Sequence, residues 1–146
     1  MRTYTFWLKA AAIVQLITAA IHSVSFFVEP EGTNDTERQL FSLMDGYKFD
    51  MGAGIHRPFG DLLTGLSMYM TLLYLLGGVL IFYLLRSRVD TAVMRGVTNI
   101  FLLIFGFAFA WMVFYTFLPP IVLTGVVFAL LFAARVVGFG TQAKTD

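Results

Sequence analysis

The chain contains no cysteine in its 146 residues. Disulfide scaffolds, thiol redox chemistry, zinc–thiolate sites and iron–sulfur clusters are therefore excluded. Charge is also scarce, at 13% of residues against about a quarter in an ordinary soluble domain. The net charge is +1, with no basic block long enough to neutralise a phosphate backbone, which excludes nucleic-acid binding. No internal repeat, low-complexity tract, P-loop, nucleophile elbow, HExxH or CxxC motif occurs. What the chain has in quantity is apolar surface: 58% hydrophobic and 16% aromatic residues, with a mean hydropathy of +0.79. Such a composition belongs to membrane proteins.

A membrane-spanning helix needs about 20 largely apolar residues, and four such runs are present, roughly 6–27, 62–85, 96–118 and 121–138. The chain reads as one four-span membrane domain over residues 1–146. Arg2 ahead of the first run and Lys9 near its start resemble a secretory signal. The apolar stretch is longer than the usual ~7–15 residues and lacks a small-x-small cleavage site, so it is read as a retained span. Lys9 can snorkel to the interface.

Arg and Lys favour cytoplasmic loops. With the N-terminus inside, Arg2, Lys9, Arg86, Arg88, Arg95, Arg135 and Lys144 lie on that side and Arg38, Lys48 and Arg57 outside, seven against three. Both termini are expected in the cytoplasm and the protein in a bacterial inner membrane. The acidic residues are polarised the other way: Glu29, Glu31, Asp35, Glu37, Asp45, Asp50 and Asp61 fall in the outer loop or its junction, and only Asp90 and Asp146 face inward. A short basic link, Arg86 to Arg95, joins spans 2 and 3, and the Leu118-Pro119-Pro120 turn joins spans 3 and 4. Prolines end one helix and suit the first turn of the next. Short links make consecutive helices antiparallel neighbours, so the expected fold is an all-α, up-down-up-down four-helix bundle.

Helices in lipid associate through small residues and interhelical hydrogen bonds. Gly125, Ala129 and Ala133 in span 4, and Gly106 with Ala110 in span 3, form candidate packing stripes; a dimer interface or a cavity wall is the alternative. Polar side chains at membrane depth need partners. Counting about 1.5 Å per residue puts Gln15 near mid-membrane, level with Gly77, Gly78 and Gly106. His22 comes nearer the outer leaflet, level with Thr71 and one turn below Ser67. Gln15 is read either as an interhelical hydrogen-bonding group beside a glycine or as the polar handle of a ligand cavity. His22 is read either as a neutral imidazole bonded to Ser67, Thr71 or a carbonyl, or as a functional group for proton transfer or for metal or haem ligation.

Residues 28–61 form one long outer loop, and loops of this length are usually functional or disordered. Asn34 followed by Glu37 has capping-box spacing, Leu40, Phe41, Leu43, Met44 and Tyr47 recur at helical intervals, and Gly46 is a suitable stop. The pattern predicts a short amphipathic helix from about Asp35 to Asp45, its apolar face on the bundle. Tyr47 to Met51 alternates as an extended segment, and Gly52 and Gly54 permit a turn back towards span 2. Together these pieces read as a lid or a passive cap. Asn34-Asp35-Thr36 is a formal glycosylation sequon, relevant only in a eukaryotic secretory pathway.

The densest chemistry follows in His56, Arg57, Pro58, Phe59, Gly60 and Asp61. Pro58 is expected in the first turn of span 2, with Asp61 favourably placed near that helix N-terminus and Arg57 able to pair with it. A bis-His haem b would need His22 and His56 on opposite faces of one macrocycle, a poor match to their positions. His22, His56 and Asp61 have ligand chemistry but no metal spacing, so no metal site is expected. No span carries a central acidic residue, which argues against a proton or cation relay.

Ile21-His22-Ser23, Glu37-Arg38-Gln39-Leu40 through Met44, and Arg57 with Gly60-Asp61 and Gly65-Leu66-Ser67 resemble a group of small bacterial four-span membrane proteins of uncharacterised function. The resemblance covers roughly residues 7–85. Members typically have a glycine where this chain has Ile21 and an aromatic pair where it has Leu62-Leu63. The resemblance implies the four-span fold and a role for His22, Arg57 and Asp61, without an activity.

The expected role is non-catalytic. The protein would hold a hydrophobic ligand such as a lipid or quinone, with Gln15, His22, Ser67, Thr71 and His56 as candidate contacts, or act as an accessory subunit of a larger membrane complex. Expected partners are membrane lipids, other membrane subunits or a second copy. The alternative is a small membrane enzyme using His22 with Asp61 or Arg57 on a hydrophobic substrate at the outer mouth.

Overall fold

In a computed structural model of the chain, which describes residues 3–28 and 31–138, the elements run α1 (Thr3–Val24), α2 (Asp35–Gly46), β1 (Lys48–Asp50), β2 (His56–Pro58), α3 (Phe59–Arg86), α4 (Thr91–Tyr115) and α5 (Leu118–Ala133), with a π-helical turn at Ala134–Gly138. Arg2, Glu29, Lys144 and Asp146, which entered the charge count, lie outside the described residues. Among the described residues, four helices are long and apolar enough to cross a membrane: Tyr4–Val24, Phe59–Arg86, Thr91–Tyr115 and Leu118–Val137. The chain is thus a small membrane protein built as an all-α helical bundle.

The helices start earlier than hydropathy alone places them, and in α4 a polar cap accounts for the extension. Asp90 caps α4 by accepting the Ala92 amide at 2.7 Å, so that helix begins at Thr91 rather than near Gly96. Pro119 and Pro120 occupy the first turn of α5, where a missing N–H has no intrahelical partner to lose.

The chain folds as two compact units, Met1–Thr18 with Tyr74–Asp146, and Ala19–Leu73. The first is the bundle unit, whose core runs through Tyr4, Leu8, Ala11, Ala12 and Gln15 on α1, Tyr74 and Ile81 on α3, Met94 and Thr98 on α4, and Thr124, Val127, Leu131 and Ala134 along α5 and its π turn. A side chain at Gly106 would strike the Phe128 ring and one at Gly125 the Phe109 ring, and the two rings stack at 6.1 Å. Each glycine is a slot for an aromatic ring of the facing helix, which places α4 and α5 antiparallel. The buried face of α5 is therefore not the small-residue stripe: Ala129 is exposed, and Thr124, Val127 and Leu131 face inward. α1 and α3 also run antiparallel, with Ala12 and Leu16 against Gly78 and Gln15 against Gly77.

The second unit holds α2 and a hairpin, whose extended first segment and turn at Gly52 and Gly54 are as expected and whose second strand is not. β1 pairs antiparallel with β2 in the register Lys48↔Pro58, Phe49↔Arg57, Asp50↔His56. Gly52 and Gly54 take positive φ of 82° and 76° in the connecting loop, a conformation open to glycine at little cost. Pro58 ends β2 instead of opening α3. A residue before proline favours extended backbone, which holds Arg57 in the strand. α2 matches its forecast almost to the residue. Its apolar face is only half-covered at Phe41 and Met44, while Leu40 and Leu43 are exposed.

Candidate functional site

The polar residues singled out at membrane depth are held mainly by their own helices. Gln15 is fully buried. Its Nε2 donates to the Ala11 carbonyl at 3.3 Å, so the expected interhelical bond is replaced by an intrahelical one. Its Oε1 is buried without a hydrogen-bond donor among the described residues and lies against Gly77 beside the Phe101 ring. An orphaned acceptor of this kind costs about 1–3 kcal/mol.

In the second unit, Thr71 donates its hydroxyl to the Ser67 carbonyl at 3.1 Å. Local back-bonding of this kind competes with longer-range partners, and no hydrogen bond joins His22 to Ser67 or Thr71 among the described residues. The half-buried His22 imidazole lies 6.2 Å from the Phe26 ring, and its carbonyl accepts the Ser25 hydroxyl at 2.7 Å. Exposed His56 is held by its own turn, Nδ1 lying 3.3 Å from the Gly54 carbonyl. No ring contact joins the two histidines among the described residues.

Arg57 and Asp61 do come together, at 3.9 Å, with both side chains more than half exposed. Asp61 lies in the first turn of α3, where its charge suits the helix dipole. On α2, Asn34 Oδ1 accepts the Glu37 amide at 2.9 Å. The Glu37 carboxylate reaches back one residue further than a capping box requires, accepting the Thr33 hydroxyl at 2.6 Å and amide at 2.7 Å. The Thr33 hydroxyl, followed by its amide, holds the Glu37 carboxyl below its ordinary range.

Two features of the bundle unit escaped sequence reasoning. Tyr74 and Thr124 share a buried hydrogen bond of 2.7 Å between α3 and α5. A partly open cavity of about 280 Å³ lies where α1 begins, α3 ends and α4 starts, lined by Tyr4, Thr5, Leu84, Leu85, Arg88, Val89 and Met94. From the sequence the basic link shows only its connecting role; the signal that it also builds a cavity lies in Arg88. That residue takes φ of +50°, just past the end of α3, where glycine is the usual occupant. A non-glycine residue there costs on the order of 1–3 kcal/mol. On the same flank, Arg135 Nε donates to Asn99 Oδ1 at 2.7 Å.

The chain matches no family model, and no curated protein or solved structure is similar to it.

Proposed function

We propose that this small membrane protein lies in a bacterial inner membrane with both termini cytoplasmic, and that it binds an amphipathic ligand without catalysing a reaction on it. The observation that carries this reading is the cavity at the basic end of the bundle unit. Leu84, Leu85, Val89 and Met94 give it an apolar portion, and Tyr4, Thr5 and Arg88 bring polar groups to the same lining. Binding sites are typically apolar pockets with a few convergent polar groups. At about 280 Å³ the cavity falls just under the ~300–1,000 Å³ usual for a whole small molecule. It suits one end of a long ligand, such as a lipid headgroup or a quinone ring, whose chain continues into the bilayer. Arg86, Arg88, Arg95 and Arg135 on the adjoining helix ends support the cytoplasmic assignment of this end.

Purification in mild detergent, followed by extraction and mass spectrometry of small molecules, tests the reading. A lipid or quinone retained at near-stoichiometric amounts supports it, and a bare protein opposes it.

A second reading is favoured by α4. Its most apolar window is only 6% buried, and Leu103, Phe107, Trp111 and Phe114 are more than half exposed on it. A helix face of this kind is covered either by acyl chains or by a partner helix, and the latter would make the protein an accessory subunit. Copurification of a stoichiometric membrane partner would favour that role, and a lone monomer would count against it.

A further inference from the structure

We infer that the ligand is an anionic phospholipid of the cytoplasmic leaflet, with its headgroup phosphate bound by Arg88. This rests on the ligand-holding role proposed above and names the chemistry of that site. The cavity sits at the level of the helix ends, between the first turn of α1 and the link that joins α3 to α4. In a membrane this is the headgroup zone. Leu84, Leu85, Val89 and Met94 supply the apolar part of the lining, Tyr4 and Thr5 add polar groups, and Arg88 is its charged residue. A guanidinium presents a planar fork of donors that fits two phosphate oxygens at once, and basic pockets between spans on the cytoplasmic side suit anionic headgroups.

Two further observations point to Arg88 itself. Its backbone is left-handed, at φ +50°, so a glycine would close this turn with less strain than the arginine that occupies it. Strained backbone of this sort concentrates at ligand clamps. Second, no hydrogen bond or ion pair to the Arg88 guanidinium occurs among the described residues. The acidic side chain in the same link, Asp90, is turned to the Ala92 amide as the cap of α4. Arg86 adds positive charge just before the turn. The apolar walls distinguish a lipid from free phosphate, which gains nothing from Leu84, Leu85 or Met94.

The full-length protein in detergent is offered dioleoylphosphatidylglycerol or dioleoylphosphatidylcholine, and bound lipid is counted by native mass spectrometry. The wild type is expected to retain the anionic lipid about tenfold more strongly than the zwitterionic one, as a charge-assisted phosphate contact implies. Arg88→Gly is expected to lose most of that preference while unfolding at the same or a higher temperature, because it relieves the turn. Arg88→Lys is expected to keep part of it. An unchanged preference in a folded Arg88→Gly overturns the assignment. So does displacement of the lipid by millimolar inorganic phosphate, which would make a free anion the occupant. If both lipids bind equally and Val89→Trp removes both, the headgroup inference fails and the ligand-holding role stands. If neither lipid is retained by any form, both fail.

Discussion

The amide oxygen of Gln15 rests against Gly77, at a point where the facing helix has no room for a side chain. The contact joins a fully buried polar group on α1 to a glycine on α3, so a Cβ there must displace the Gln15 amide and press on the Phe101 ring. Gly77→Ala is expected to destabilise the bundle by about 1–3 kcal/mol, as overpacking does, when unfolding is followed in mixed micelles. A wild-type unfolding curve would mean that the Gln15 amide is free to move aside.

Gln15→Met keeps the unbranched shape and removes the acceptor that has no donor. Stability within about 1 kcal/mol of wild type, or above it, is expected, because the orphaned oxygen is itself unfavourable. A loss well beyond that would show that the amide makes a bond the bundle depends on.

The Tyr74–Thr124 hydrogen bond ties α3 to α5, and contacts of this kind in membranes contribute about 0.5–2 kcal/mol. Tyr74→Phe and Thr124→Val should each weaken the bundle by that order. The double variant should lose less than the two together, as a shared interaction requires. Full additivity in the double-mutant cycle would argue that the two hydroxyls act separately.

Acidification should loosen the first turn of α2. The Glu37 carboxyl is held below its ordinary value by Thr33, so its ionised form stabilises the cap fully above about pH 4.3. That contribution disappears as pH falls through the lower folded-state value. Hydrogen exchange of the α2 amides, corrected for intrinsic rates, should show protection falling in that range in the wild type and no such step in Glu37→Gln.

Hydropathy exposed the four spans because a helix in lipid must be apolar along its length, and α2 was legible because Asn34 and Glu37 are local signals acting within one turn. The hairpin was legible only in its first extended segment and its glycine turn, not in its second strand or its pairing. Each strand has three residues, His56-Arg57-Pro58 shows no alternation of apolar and polar residues, and Pro58 suits a helix start as well as a strand end. The Arg57–Asp61 pair was readable from its spacing. Of the readings of His22, a bond to Ser67 or Thr71 is not formed among the described residues; the Thr71 hydroxyl donates to the Ser67 carbonyl one turn away in its own helix. The Tyr74–Thr124 pair is 50 residues apart in the chain, beyond any local pattern. The cavity depends on how three helix ends converge and on the backbone angle of Arg88, neither of which composition or periodicity encodes.

Occupancy of the cavity at the basic end of the bundle unit can be read directly by comparing the wild type with Val89→Trp, whose indole would fill the space lined by Leu84, Leu85 and Met94. Native mass spectrometry of both proteins, purified side by side, should show a bound lipid or quinone on the wild type and none on the variant, with both proteins folded and the ligand-bound wild type unfolding at the same or a higher temperature. Equal ligand on both, or none on either, would contradict a ligand-holding role for this cavity.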